Sequence, residues 1–314
     1  MAVDARSVGG GAAGRNGGLL LAGAPAFHHH ARSATLYRAT LAELDRIEAE
    51  TPGVLRRTGS LRIASSREEE VDCRAQLAAM HVDDLPVEPY EGPEGTGLLF
   101  PADGAGNPLA RCRALASAAL AGGAALYAST PAAQIEPGLV ATPDGAVHCE
   151  RVIVAVDGGL ERLLPELAGR VRTARLQMLA TAAAPEVTIP RPVYTRWGFD
   201  YWQQLPDGRV AAGGLRDRFI DAEWDQPDVP TDEVQRALEE MLRERVGVRA
   251  PVTHRWAGAV AFTDDHIPIG EEVRPGVMAI GAYSGTGNVL GALYGRAAAN
   301  WAVTGAPFPS FFGA

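Results

Sequence analysis

Glycine spacing is the first feature of this sequence with chemical content. Gly9, Gly11 and Gly14 satisfy G-x-G-x-x-G, the spacing that wraps a dinucleotide pyrophosphate when strand, tight turn and helix follow one another. That context is missing here. Arg15-Asn16-Gly17-Gly18 comes next and Pro25 soon after, and no Asp or Glu stands about 20 residues on to hold a ribose. A second run, Gly281 to Gly287, follows the apolar stretch Val277–Ile280 and opens a helix to about Val303, closed by Gly305. Tyr201 and Trp202 adjoin in a strand pattern, so they face opposite sides of a sheet; one of them walls a small-molecule pocket, or both pack in the core. Arg216, just after Gly213-Gly214, has the planar fork that pairs a carboxylate bidentately, but reads better as a solvated surface arginine. Asp264-Asp265 is either a pair of general acid–base carboxylates or a turn. His28-His29-His30 reads as a solvated loop: three consecutive side chains converge poorly on one ion and no carboxylate is near, so no metal site is expected. His254 is expected to be a buried structural histidine.

The elements that must position these residues alternate between strand and helix patterns, which suggests α/β or α+β architecture. Residues 9–25 read as an extended loop. Helical spacing of Leu36, Thr40, Leu44 and Ile47 predicts a helix over 34–49, stopped by Pro52-Gly53, and Leu61 to Ala64 reads as a strand. Asn107-Pro108 opens a helix over about 108–121 with Leu109, Cys112, Leu115 and Ala119 on one face. Strands are expected at 125–129, 138–142 and 151–156, with Pro143-Asp144-Gly145 as a hairpin turn between the last two. The run Arg151 to Val156 reads as a strand buried on both faces. Strands follow at 175–183, 193–204 and 209–214, and then a helix capped by Thr231 with Val234, Leu238, Met241 and Leu242 on its apolar face.

The 314 residues carry 46% apolar and 21% charged side chains and a net charge of −9. That balance fits a soluble, cytoplasmic enzyme with a small-molecule substrate and argues against nucleic acid or an anionic membrane as partner. No apolar run reaches the roughly 18 residues of a membrane helix. Cys73, Cys112 and Cys149 are too far apart for a CxxC site or a disulfide framework. All 29 cationic residues are arginine.

A different alignment of the glycine-rich start carries more. Ala2-Val3-Asp4-Ala5-Arg6, followed by Gly11-Ala12-Ala13-Gly14-Arg15-Asn16-Gly17-Gly18, resembles the strand end and G-A-S-G-R-N-G-G loop of FAD-dependent oxidoreductases of the D-amino-acid oxidase, glycine oxidase and sarcosine oxidase type, with Ala13 for the family serine. Further matches follow in chain order. Thr58-Gly59-Ser60-Leu61, Pro131-Ala132, Val152 to Asp157 and Asp200-Tyr201-Trp202 are similar to family segments. So are Trp256-Ala257-Gly258 with Thr263 to Gly270, and Gly281 to Gly287, where Thr286 stands for the family histidine.

The resemblance implies an FAD-binding, Rossmann-like parallel-sheet domain, N-terminally truncated, over 1–52, 108–170 and 256–314. It is interleaved with a mixed, mostly antiparallel substrate-domain sheet over 53–107 and 171–255. It implies FAD as cofactor. Asp4 would hold the adenosine ribose, unless it is an unstructured terminal residue, with Arg6 beside it. Gly11, Ala13, Arg15, Asn16, Gly17 and Gly18 would pass the pyrophosphate and flavin, unless Arg15 and Asn16 merely shape a turn. Ala132 would lie near the adenine, and Gly258, Gly281, Gly285, Thr286, Gly287 and Asn288 near the flavin. In that setting the helix opening near Gly287 turns its positive end toward the reduced ring. The Asp264-Asp265 pair reads as a turn. The implied reaction is hydride transfer from the carbon beside an amine to flavin N5, giving an imine, with Tyr201, Trp202 and Arg216 as substrate-side candidates. Many family oxidases place a lysine by the flavin to activate oxygen, and this chain has none, so both oxidase and dehydrogenase chemistry stand open. The family's G-x-G-x-x-G strand and helix would lie upstream of Met1. A non-catalytic relative that holds no FAD unaided, a mis-started reading frame, and a subunit whose partner supplies that segment are the alternatives.

Overall fold

The computed structural model describes residues 1–23 and 33–311; Pro25 and the His28–His30 tract lie outside the described residues. Eight α-helices run among them: α1 (Ala12–Arg15), α2 (Ser33–Glu50), α3 (Arg67–Val82), α4 (Pro108–Ala121), α5 (Leu160–Leu163), α6 (Ile220–Glu223), α7 (Asp232–Met241) and α8 (Gly287–Thr304). The largest sheet has eight strands in the order Val252–Phe262, Arg172–Ala183, Arg209–Gly214, Asp200–Gln204, Val193–Thr195, Ser60–Ile63, Gly95–Phe100 and Glu88–Gly92. Only the pairing of Val193–Thr195 with Ser60–Ile63 is parallel. Parallel pairing otherwise joins Ala2–Val3 to Leu126–Tyr127, and Val152–Val154 to Val277–Gly281. This is the mixed α/β architecture with a parallel part and a large, mostly antiparallel sheet that the sequence implied.

Local signals explain most helices. Leu36, Leu44 and Ile47 are buried along one face of α2, with Thr40 between them. In α4 the Asn107 side chain accepts from Ala110 N and Pro108 fills the first turn, where no N–H partner is needed. Its expected apolar face is only partly covered, however: Leu109 and Cys112 are half-buried against Gly9, none of its side chains is fully buried, and Leu115 is 43% exposed. Helix α3 was not anticipated, although Ser66 and Glu69 carry its signal. The Ser66 hydroxyl accepts from Glu69 N, and the Glu69 carboxylate accepts from Ser65 N and Oγ, a capping box displaced by one residue. Helix α7 has the expected buried face, Val234, Leu238, Met241 and Leu242, but not the expected cap. The Thr231 hydroxyl accepts instead from Gln177 Nε2, and Thr231 N donates to Gln177 Oε1, both at 2.9 Å. Gln177 is buried in the sheet, and leaving its amide unpaired costs more than leaving a helix end to solvent.

Four further expectations are corrected. Pro143-Asp144-Gly145 turns from Leu139–Thr142 into Gly145–His148, not into the 151–156 run. That run is buried on one face only: Val152 and Val154 are buried, while Ile153 between them is 37% exposed. The 193–204 strand is broken at Arg196 and Trp197, which lie at φ 53° and 54°. His254 is exposed, on the edge strand of the large sheet. The boundary drawn at residue 256 also falls inside strand Val252–Phe262, which stays hydrogen-bonded to Arg172–Ala183 through Phe262.

Candidate active site

Residues 9–18 form a compact loop rather than an extended one, with α1 as a single helical turn inside it. Gly9 takes a left-handed φ of 71°, and a Cβ on Gly14 would stand 2.2 Å from the Gly9 carbonyl oxygen. The turn therefore closes only with glycine at position 14. Side chains from distant elements then sew the loop in place. Asn16 Oδ1 accepts from Gly18 N and from Asn288 Nδ2, both at 2.9 Å, and Asn288 Nδ2 also donates to the Leu19 carbonyl at 2.8 Å. Trp256 Nε1 donates to the Arg15 carbonyl and Gln203 Nε2 to the Gly17 carbonyl, each at 2.6 Å. Tyr201 occupies the slot left where two side chains are missing: a Cβ on Gly17 would meet its ring at 2.8 Å and one on Gly213 its hydroxyl at 2.6 Å. Burial pushes the Tyr201 hydroxyl up to about 12, so it stays neutral and able to donate.

The loop abuts the start of α8. Ala282, Ser284 and Gly285 have φ values of 55°, 51° and 89°, so three of the four residues leading to Thr286 are left-handed. The Thr286 hydroxyl bonds back to the Tyr283 carbonyl at 2.7 Å, so no side chain caps the first turn of α8. Asp157 fixes the run from behind, accepting from Tyr283 N at 3.2 Å and Ala261 N at 3.3 Å. Burial pushes its carboxyl up to about 6, against the pull of those N–H donors. Arg111 of α4 donates through Nη1 to the Asn288 carbonyl, while its buried Nε has no partner among the described residues. It lines a small cleft of about 10 Å³ together with Gly18, Leu20, Val54 and Asn288.

The structure thus brings together Arg15, Asn16, Gly17, Gly18, Tyr201 and Asn288. Gly258 joins them, since its Cβ would touch Ala12 and Arg15 at 3.6–3.8 Å. Gly11 and Ala13 lie exposed on the same loop, while Gly281 ends strand Val277–Gly281, Gly285 and Thr286 lead into α8 and Gly287 opens it. Asp4 and Arg6 sit at the loop's outer end, where Arg6 N donates to Asp4 Oδ1 at 2.7 Å. Ala132 packs on a separate apolar cluster that also contacts Val3. Trp202 departs from its expected role. It points to the opposite face from Tyr201 and is buried among Leu61, Leu179, Val210 and Leu238, so it belongs to the core. Arg216 is not on the surface. Its guanidinium lies 4.3 Å from the Phe262 ring centroid and 5.4 Å from that of Trp224, and it donates to no acceptor among the described residues. Burial pulls its pKa down from the ordinary value. Asp264-Asp265 is a turn, closed by Ile267 N donating to Asp265 Oδ1 at 3.0 Å.

Four residues were missed by sequence reasoning: Gln203, Trp256, Arg111 and Asp228. Only Gln203 had a local signal, a polar side chain two residues from Tyr201 and therefore on the same face of the strand. Asp228 bridges Arg6 and Arg15, a contact across more than 200 residues of sequence.

The model of the FAD dependent oxidoreductase (DAO) family matches residues 1–301. The chain belongs to this family, and its cofactor is FAD. A curated relative, the probable oxidoreductase OrdL of Rhizobium meliloti, is 30% identical over 205 residues, which is 61% of this chain and 46% of that protein. The match thus spans less than half of that relative's length. Among solved structures, the L-proline dehydrogenase of P. horikoshii is similar with a TM-score of 0.79 at 17% identity, covering 98% of this chain and 87% of that one. Glycine oxidase from Bacillus cereus is similar with a TM-score of 0.77 at 19% identity, covering 98% and 88%. At such identities these two likenesses establish the fold. No helix among the described residues is long and apolar enough to cross a membrane.

The residues present fit FAD. The uncapped start of α8 offers backbone N–H donors and a positive helix end. The buried Arg111 Nε adjoining this loop has no acceptor among the described residues.

Proposed function

We propose that this chain oxidises the C–N bond of a small amine or amino acid, yielding an imine. The carrying observation is the loop at 11–18. Asn288, Trp256 and Gln203 fix it between the start of α8 and the large sheet, with Tyr201 packed directly against it. FAD, when bound, supplies the hydride acceptor at N5. The protein's own groups bind and orient. Tyr201 and the sheet around Gly213 and Gly258 wall the substrate side, and neutral Tyr201 offers no charge that would hold an ammonium. A desolvated pocket favours the neutral amine, the form able to give up hydride. Arg216, held by aromatic rings and with no acceptor among the described residues, would pair a substrate carboxylate. The two structural neighbours bear names of enzymes acting on proline and glycine, which supports an amino-acid substrate. On this reading 1–52, 108–170 and 256–314 serve the cofactor, and 53–107 and 171–255 the substrate, with strand Val252–Phe262 shared between them.

The test is the absorbance spectrum of the purified chain before and after incubation with FAD. Flavin bands that stay with the protein through gel filtration, and bleach when an amine or amino acid is added without air, are expected. A protein that retains flavin yet is reduced by none of a panel of amines and amino acids would refute the C–N reading.

A specific observation favours a second reading. Ala2–Val3 with Leu126–Tyr127, and Val152–Val154 with Val277–Gly281, are two parallel fragments with no shared strand, Ile153 is exposed, and α4 buries none of its side chains. On this reading the chain as given holds FAD only when a further strand and helix complete the parallel sheet. Flavin uptake that appears only on adding such a segment would establish it.

A further inference from the structure

The segment after α6, residues 224–230, runs from the aromatic surroundings of Arg216 to the cofactor loop. At its start, Trp224 lies beside Arg216 and edge-on to Phe262. Its middle is tied down from beneath. Asp225 N donates to the Thr173 carbonyl at 2.9 Å, and Arg175 Nη1 donates to the carbonyls of Pro227 and Val229 at 3.4 and 3.2 Å. Arg175 is itself immobilised, buried and paired through two nitrogens with buried Glu223 at 2.8 and 2.9 Å. At its far end Asp228, whose side chain is 18% exposed, reaches two arginines. Its Oδ1 accepts from Arg6 Nη2 at 3.1 Å, and its Oδ2 takes Arg6 Nη1 together with Arg15 Nη1, the latter at 3.0 Å. Arg15 Nη1 also donates to the Ala257 carbonyl at 3.2 Å, and Arg6 Nη1 to Gly10 O at 3.2 Å.

Arg6 and Arg15 stand at the two ends of the glycine-rich turn that begins the cofactor loop. Residues 7–14 between them include four glycines and contribute no other long side chain able to reach the sheet. With the carboxylate in place, both ends of the turn are pinned to one point on the 224–230 segment, which is itself tied to the large sheet through Thr173 and Arg175. Without it, two guanidinium groups share that point and repel. The shared proton-acceptor geometry is charge-assisted on both sides.

We propose that Asp228 is the positioning residue of the cofactor loop: its carboxylate draws Arg6 and Arg15 together and holds residues 6–18 closed against the large sheet in the form that receives FAD. This rests on the FAD reading above. The strap is carried by Arg175 and Glu223, so the carboxylate can be neutralised without cutting its anchor. The experiment compares wild type, Asp228→Asn and Asp228→Glu by two readouts: amide hydrogen–deuterium exchange of residues 7–18 without flavin, and the FAD dissociation constant from quenching of flavin fluorescence. In Asp228→Asn, exchange in 7–18 is expected to quicken about tenfold while 139–148 stays unchanged, and the FAD dissociation constant to rise about tenfold. In Asp228→Glu, both are expected to return to within about threefold of wild type. Unchanged exchange in 7–18 overturns the proposal, and so does faster exchange with unchanged FAD affinity. A wild-type chain that takes up no flavin defeats the functional reading instead, and the exchange comparison then decides whether Asp228 closes the loop.

Discussion

Asp103 offers the sharpest quantitative test of how the loop is supported. It is 2% exposed, and its carboxylate accepts from Ala22 N at 2.8 Å and from the Ser60 hydroxyl at 2.6 Å. It thereby joins the chain leaving the cofactor loop to the large sheet, beside strand Gly104–Gly106, which pairs with Leu19–Leu20. Burial pushes its carboxyl up to about 7 from 3.8, because two neutral donors and a nearby Arg57 do not replace the lost hydration of a charge. The sign follows directly. The folded protein holds this proton more tightly than the unfolded chain, so the stability this one group contributes is greatest below about pH 4, falls as pH rises, and is lost above about pH 7. A rise of about three units corresponds to ~4 kcal/mol over the whole window, of which ~3 kcal/mol falls between pH 5 and 8. Asp103→Asn keeps the shape, still accepts from Ala22 N and can donate to the Ser60 hydroxyl, but has no proton to lose. Urea unfolding of both proteins at pH 5, 6, 7 and 8 should show the variant gaining ~3 kcal/mol relative to wild type across that range. Parallel stability curves for the two proteins would refute the reasoning, because they would mean that Asp103 carries its charge in the fold at no cost.

Three further outcomes are expected. Gly17→Ala places a Cβ 2.8 Å from the Tyr201 ring, so it should weaken flavin binding at least tenfold by fluorescence titration while the far-ultraviolet circular dichroism stays unchanged. Arg216→Gln should raise KM for amines bearing a carboxylate by about 30-fold, ~2 kcal/mol, and leave KM for amines without one nearly unchanged; equal effects on both would remove Arg216 from substrate recognition. Trp202→Phe should cost ~1–3 kcal/mol in urea unfolding and leave FAD affinity as it was, since Trp202 packs in the core on the face away from the loop.

Much of the frame was legible because it is locally encoded. The apolar spacing of α2 and α8, the Asn107-Pro108 start of α4 and the glycine that ends α8 at φ 75° each involve residues a few positions apart. The glycine loops at 11–18 and 281–287 were legible for the same reason, since Gly14, Gly18 and Gly285 mark turns by residue type alone. Where two local signals competed, tertiary demand chose. Thr231 could cap α7, yet buried Gln177 claimed its hydroxyl and its N–H. Tyr201 and Trp202 were indistinguishable by period, and the side of the sheet on which the cofactor loop lies separated them.

What the sequence by itself determined was the family, with its FAD cofactor, and the run of elements that carries the loop. These follow from residue types and short spacings, which the backbone reads without reference to the rest of the chain. Only the tertiary structure decided which side chains close the site. Asn16 meets Asn288 across 272 positions and Arg6 meets Asp228 across 222. No local propensity records such a pair, because its energy exists only after the intervening chain has paid the entropy of bringing the two ends together.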